Sequence, residues 1–201
     1  MADFNTYVTK LLKAEGGYVN DPVDKGGETY RGITRKNWPN WAGWKTVDAS
    51  KPLKTGAIIP SLENEVKKFY QSNYWLPLKA TELKTQVIAE LIVDWRINGG
   101  YSATEFQNAI NTAGGKLVVD GEVGPITIKA ANTVNQKKLY EAIIAARKAD
   151  YDRIVKNNPS QQKFYAGWLN RLEYFKSPVV LGLGTVLVVG FGLLLLIDNK
   201  S

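Results

Sequence analysis

The chain has 201 residues, 26 lysines and arginines against 19 aspartates and glutamates, a net charge of +7, and neither cysteine nor histidine. Those two absences exclude disulfides, thiol nucleophiles, Ser-His and Cys-His dyads and metal sites built on histidine or cysteine, leaving carboxylates as the acid-base groups near neutral pH. There is no Gly-rich phosphate loop or dinucleotide fingerprint, and the lysines are spread out without a basic-aromatic recognition motif, so the chain is expected to work with no cofactor, no metal and no nucleic-acid partner.

The first element is an amphipathic helix. Phe4, Tyr7, Val8, Leu11 and Leu12 recur at i, i+3, i+4, i+7 and i+8, and Glu15 falls at i+11 on the same stripe. A carboxyl at the end of a core face, sheltered from water, has its pKa raised, as a general acid requires. Gly16 and Gly17 then break the helix and are expected to let backbone approach a ligand. Asp24 lies nine residues beyond Glu15 and Thr29 fourteen beyond, in a Gly/Asn/Asp/Pro-rich stretch expected to fold back as a small hairpin near residues 17–34. One sheltered and one wet carboxyl is the pairing that glycosidic cleavage uses: an acid for the leaving oxygen, and a carboxylate that positions water or stabilises oxocarbenium charge. Asp21 and Glu28 are also acidic, but read as an Asx-turn former and an exposed turn residue, so Asp24 ranks ahead of both.

The string Glu15-Gly16-Gly17-Tyr18, Asn20-Asp21-Pro22, Asp24, Gly26-Gly27-Glu28-Thr29 and Gly32-Ile33-Thr34 resembles the signature of glycoside hydrolase family 108, a family of bacterial and phage N-acetylmuramidases. The resemblance implies a lysozyme-like helical domain over residues 1–100, with Glu15 as the catalytic glutamate. Glu15, Asp24 and Thr29 are together similar to the Glu/Asp/Thr set of phage-type lysozymes. Tyr18, Tyr30, Trp75 and Tyr101 are candidates to stack on sugar faces, against the alternative that large aromatics belong to the core.

Residues 35–60 carry Trp38, Trp41 and Trp44 in a loop or short helix, either a sugar-binding lip or, as the safer account, packing against the core; the spacing departs from the family's. Phe69-Tyr70, Tyr74-Trp75-x-Pro77-Leu78 and Asp94-x-x-x-Asn98-Gly99 resemble the family's later helices. Val87, Ile88, Leu91, Ile92 and Trp95 form a second apolar stripe that Asn98-Gly99-Gly100 ends. Asn98 is a candidate to hydrogen-bond an N-acetyl group or the catalytic water, or else a left-handed helix cap.

A second module is expected over residues 101–176. Phe106, Ala109 and Ile110 predict a helix, Asp120-Gly121 a tight turn, and Gly124-Pro125 the start of another helix. The string Asp120-Gly121-x-x-Gly124-Pro125-x-Thr127 resembles an element of peptidoglycan-binding domains. Helices follow over roughly 136–157 and 161–175, so the part before the tail is mainly α, and its about 175 residues suffice for a good core.

From Pro178 to Ile197, twenty residues carry no charge, enough for a helix across a hydrocarbon core of about 30 Å. A transmembrane helix is expected at 177–198, contacting membrane lipid. Gly182, Gly184, Gly190 and Gly192 lack Gly-x-x-x-Gly spacing, so self-association stays open. Residues 1–14 do not read as a signal peptide. More lysine and arginine precede the span than follow it, which mildly favours a cytoplasmic enzyme, while the implied substrate lies outside. The chain is therefore expected to be a phage lysis or virion enzyme anchored in a host or internal phage membrane and acting on peptidoglycan, with a bacterial enzyme exported by a dedicated route as the other origin. The positive charge suits an anionic wall polymer.

The resulting expectation is a muramidase cleaving the β-1,4 bond between N-acetylmuramic acid and N-acetylglucosamine. The alternatives are a lytic transglycosylase, which needs the acid but no second carboxylate, and a noncatalytic wall-binding or secretion-assisting membrane protein.

Overall fold

The first apolar stripe folds as α1 (Phe4–Ala14), with Phe4, Tyr7, Val8, Leu11 and Leu12 all buried, in a computed structural model that describes residues 1–14, 16–20 and 27–175. Three two-residue strands follow, β1 (Tyr18–Val19), β2 (Thr29–Tyr30) and β3 (Ile33–Thr34), in an antiparallel sheet of order β1-β2-β3. The sequence predicts one hairpin here; the third strand arises because Arg31 and Gly32 form a two-residue turn with φ of 50° and 77°. Positive φ at both central positions is the hairpin turn whose twist matches the strands it joins. Tyr30 then faces Ile33 and Thr29 faces Thr34, while on the other side Tyr18 faces Tyr30.

The free edge of β1 is covered by the 54–57 loop: Tyr18 N–H donates to Ala57 O, and Gly56 N–H donates to Tyr18 O, both at 2.8 Å. The Trp-rich stretch forms α2 (Gly43–Ala49), and α3 (Glu63–Tyr70) continues into one wide helical turn, Gln71–Trp75. Trp38 meets Phe69 edge-on at 4.8 Å, Trp41 meets Trp44 at 5.2 Å, and the Trp44 indole N–H donates to Trp38 O. These contacts are the core packing that large aromatics ordinarily serve.

Backbone packing divides the described chain into two compact units, residues 4–73 and residues 1–3 with 74–175. The second contains α4 (Gln86–Ile97), α5 (Ala103–Thr112), α6 (Pro125–Thr133), α7 (Gln136–Asn157) and α8 (Gln162–Tyr174). The sequence places a domain boundary at 100/101, whereas α4 packs with the helices that follow it. Its buried residues run without a break from Val87 to Trp95, so it needs partners on every side. Asp94 meets Arg147 of α7 and Arg171 of α8, and the Trp95 indole donates to Asp150 of α7.

Local signals set the ends of these helices. Ser102 caps α5 by accepting Glu105 N–H, with the glutamate three residues on as in a capping box. Pro125 occupies the first turn of α6, and Asn135 caps α7 by accepting Lys138 N–H. The buried Gln107 amide fastens the 120–122 turn to α5, donating to Asp120 Oδ1 at 2.6 Å and accepting Gly121 N–H at 2.9 Å. The predicted membrane span, 177–198, lies outside the described residues; among those described, no helix is long and apolar enough to cross a membrane.

Candidate active site

Glu15 and Asp24 also lie outside the described residues, as does Asp21.

Gly17 forms a bend leading into β1. A Cβ there would sit 2.3 Å from Ala57 O and 2.4 Å from Gly56 O, so no other residue fits without moving the 54–57 loop. The close approach expected of this glycine is therefore made to the protein's own backbone. Tyr18 and Tyr30 are brought together as paired residues of β1 and β2. Tyr30 is 0% exposed, and its hydroxyl both donates to Ile59 O and accepts Ile59 N–H. Its ring is part of the interior, stacked at 6.2 Å from Trp41. Burial raises its phenol above the ordinary value, although the bond to Ile59 works the other way.

Tyr18, also buried, donates its hydroxyl to Glu28 Oε1 at 3.0 Å. Glu28 is the centre of a charged network rather than an exposed turn residue. Its side chain is 12% exposed and pairs with Arg35 at 2.5 Å and Lys51 at 2.7 Å, and both cations also pair with Asp48. Burial opposes its ionisation, but bonds from Lys51 and Tyr18 and the charges of Arg35 and Lys51 outweigh it and hold Glu28 below the usual glutamate range. A carboxylate held ionised in this way is unsuited to donate a proton. The Arg35 guanidinium also lies over the Trp44 ring at 4.3 Å, a cation–π contact. Next to Glu28, Thr29 is half-buried in β2 and donates its hydroxyl to Gly27 O at 3.2 Å.

Trp75 and Asn98 belong to the other compact unit. Trp75 is 0% exposed, its indole N–H donating to Thr81 Oγ1 at 2.7 Å, so its ring is enclosed by protein. Asn98 is buried at the end of α4 and donates its side-chain amide to Asp94 O at 2.8 Å. It has φ of −91°, and the left-handed position belongs to Gly99 at 77°. Tyr101 packs edge-on against Trp95 at 5.7 Å, and burial pushes its phenol up. Among the described residues, no group of three or more acidic side chains is placed to hold a metal.

One residue that sequence reasoning passes over is Arg31. It is buried, takes the left-handed turn position, and reaches from the β2–β3 turn to the end of α1 and to Glu63. The one sequence signal was its place before glycine between two short apolar runs, where asparagine or aspartate is usual.

Residues 8–100 match the glycosyl hydrolase 108 family, and residues 102–173 match a predicted peptidoglycan domain. The chain carries a family 108 glycoside hydrolase domain. The first match spans α1 from Val8 onward, the whole Glu15–Thr34 string and α2 to α4, and the second covers α5 to α8 almost entirely. The family boundary, near residue 101, thus falls after α4, although α4 packs with the later helices. Among solved structures, SagA of Brucella abortus is similar over 90% of this chain and 94% of its own, with a TM-score of 0.60 and 23% identity. At that identity the likeness speaks for the fold. None of the curated proteins matches the chain.

Proposed function

We propose that this family 108 hydrolase is an N-acetylmuramidase with a lysozyme-like catalytic part, cleaving the β-1,4 bond between N-acetylmuramic acid and N-acetylglucosamine. The observation that carries the reading is the uninterrupted Glu15–Thr34 string inside the match at residues 8–100. Glu15 donates the proton to the leaving oxygen. Asp24, helped by Thr29, positions water or stabilises the oxocarbenium charge. With no histidine or cysteine in the chain, carboxylates are the groups left for this chemistry. The ion network fits that division of labour, since Glu28 is occupied by Arg35 and Lys51 and leaves the work to Glu15 and Asp24. Tyr18 and Tyr30, paired across β1 and β2, act as supports for the surface of their own unit that meets the glycan. Residues 101–176 hold the wall polymer, and the net positive charge draws the enzyme toward it in a salt-dependent way. The apolar tail at 177–198 tethers the enzyme to a membrane, in the manner of a phage lysis or virion-associated enzyme.

Mass spectrometry of peptidoglycan digested by the full-length protein tests this reading. A muramidase releases fragments with reducing-end muramic acid. Anhydro-muramic ends would identify a lytic transglycosylase instead, and release of no fragment would leave a wall-binding protein.

A further inference from the structure

Glu105 of α5 and Asp150 of α7 present two carboxyls to one cation. Arg153 Nη2 lies 3.9 Å from Glu105 Oε1 and pairs closely with Asp150 Oδ1, and the arginine side chain is 62% exposed. A cation so exposed, shared between two anions, compensates them poorly. Asp150 is the better served of the two: its side chain is 5% exposed, and Oδ2 accepts the Trp95 indole N–H at 3.0 Å. Glu105 Oε2 is buried and has no hydrogen-bond partner. With both carboxyls ionised, neither has a hydrogen to give the other. One proton on Glu105 removes the like charge and supplies the missing bond.

The charged groups that face Glu105 both come from α7: Asp150 opposes its ionisation and Arg153 favours it. The link before α5 adds the Ser102 hydroxyl, which also favours the ionised form, and α4 adds the uncharged Trp95 indole, through Asp150. Burial and Asp150 prevail, so Glu105 keeps its proton above the ordinary glutamate range.

The pair sits against a joint in the chain. Gly99 and Gly100, with φ of 77° and 85°, link α4 to α5, and a Cβ on Gly100 would lie 3.1 Å from both Asp150 Oδ2 and Trp95 Nε1. Ser102 then caps α5, with Glu105 itself three residues on. Glycines in this region of φ let the segment change course at low cost. The hydrolase match ends at residue 100 and the peptidoglycan-domain match begins at 102, so the joint is also the seam between the two.

We propose that Glu105 and Asp150 form a proton-operated latch on the 99–105 joint. One shared proton ties the first turn of α5 to α7. Its loss sets two carboxylates against each other, and the glycine link and the capping turn yield, while Phe106, Ala109 and Ile110 keep the rest of α5 buried. The seam is thus held at acidic pH and loosened as pH rises toward neutrality.

The test is amide hydrogen exchange across residues 101–106 of the full-length protein, read as protection factors so that the intrinsic pH dependence drops out, from about pH 4 to about pH 8. Wild type, Glu105→Gln and Asp150→Asn are compared. Protection in wild type is expected to fall about tenfold for each unit by which the latched pKa of Glu105 exceeds that of the opened segment. Ile143, buried in α7, should keep its protection throughout. Glu105→Gln donates to Asp150 without titrating and should hold the acidic level of protection at every pH. Asp150→Asn donates to an ionised Glu105 and should likewise lose the fall, which carries the comparison should Glu105→Gln not fold. Protection in wild type that does not change with pH, or the same fall in the variant, overturns the latch. A fall that Ile143 shares is loosening of the whole unit and overturns it as well.

Discussion

Asp94 of α4 and Arg147 of α7 form an ion pair at 2.8 Å with side chains 3% and 0% exposed. Arg171 of α8 closes on the same carboxylate, and Arg147 also donates to Leu91 O and to the hydroxyl of Tyr151. Burial opposes ionisation of Asp94, but the charges of Arg171 and Arg147 and their hydrogen bonds dominate and hold it below the usual aspartate range. Three helices are therefore joined at one carboxylate. Asp94→Asn leaves two guanidiniums without compensation and should cost about 3–5 kcal/mol of stability. Urea unfolding measures this, and a loss under about 1 kcal/mol would show that the triad contributes little. Because the folded-state pKa is depressed, the contribution is present above the unfolded value and is lost as pH falls through the folded one.

Gly17→Ala should destabilise the unit formed by residues 4–73. The added methyl meets two carbonyl oxygens of the 54–57 loop at under 2.5 Å, and both are backbone atoms that cannot swing aside. Overpacking of this kind costs about 1–3 kcal/mol. Hydrogen exchange at Tyr18 and Gly56, whose amides join β1 to the loop, should accelerate in the variant. Unchanged protection at both would show that the loop accommodates the methyl.

Trp75→Phe separates a core role from a sugar-stacking one. The ring is enclosed and its N–H is bonded to Thr81, so losing volume and a hydrogen-bond partner should cost about 2–3 kcal/mol while KM for glycan strands stays as it was. A raised KM with unaltered melting temperature would assign the ring to substrate.

Glu105 of α5 gives a pH prediction of the opposite sign. Burial and the neighbouring Asp150 carboxylate push its pKa above the ordinary 4.5, with Ser102 and Arg153 opposing. A raised carboxyl pKa means stability that is full below the unfolded value and lost as pH rises through the folded one. Glu105→Gln should therefore melt progressively higher than wild type as pH climbs from that range toward neutrality. A melting difference that is constant with pH would rule out this burden on Glu105.

Elements governed by local periodicity were legible in the chain. The α1 stripe, the helix opening at Pro125, and the expected helices at 136–157 and 161–175 correspond to α1, α6, α7 and α8, because caps and apolar spacing act within a few residues. Long-range charge pairing was not legible. Asp94 finds Arg147 and Arg171 at separations of 53 and 77 residues, so nothing near it announces that it is buried or draws α4 to the later helices. Glu28 read as a turn residue for the same reason, since Lys51 and Arg35 reach it only after the chain has folded back. The third strand was hidden because Arg31-Gly32 is an unusual pair for so tight a turn. Within the candidate site, the family string singles out Glu15, Asp24 and Thr29 as candidates, whereas the bond from Arg31 to the end of α1 depends on a side chain crossing 19 residues to Leu12.

The proposed role of Glu15 as proton donor is tested by the initial rate of strand cleavage by full-length wild type and Glu15→Gln at matched folding. A loss of about 100- to 10,000-fold in kcat, the contribution of a positioned acid, is expected with the melting temperature essentially retained. Cleavage by Glu15→Gln at a rate near that of wild type would contradict that role.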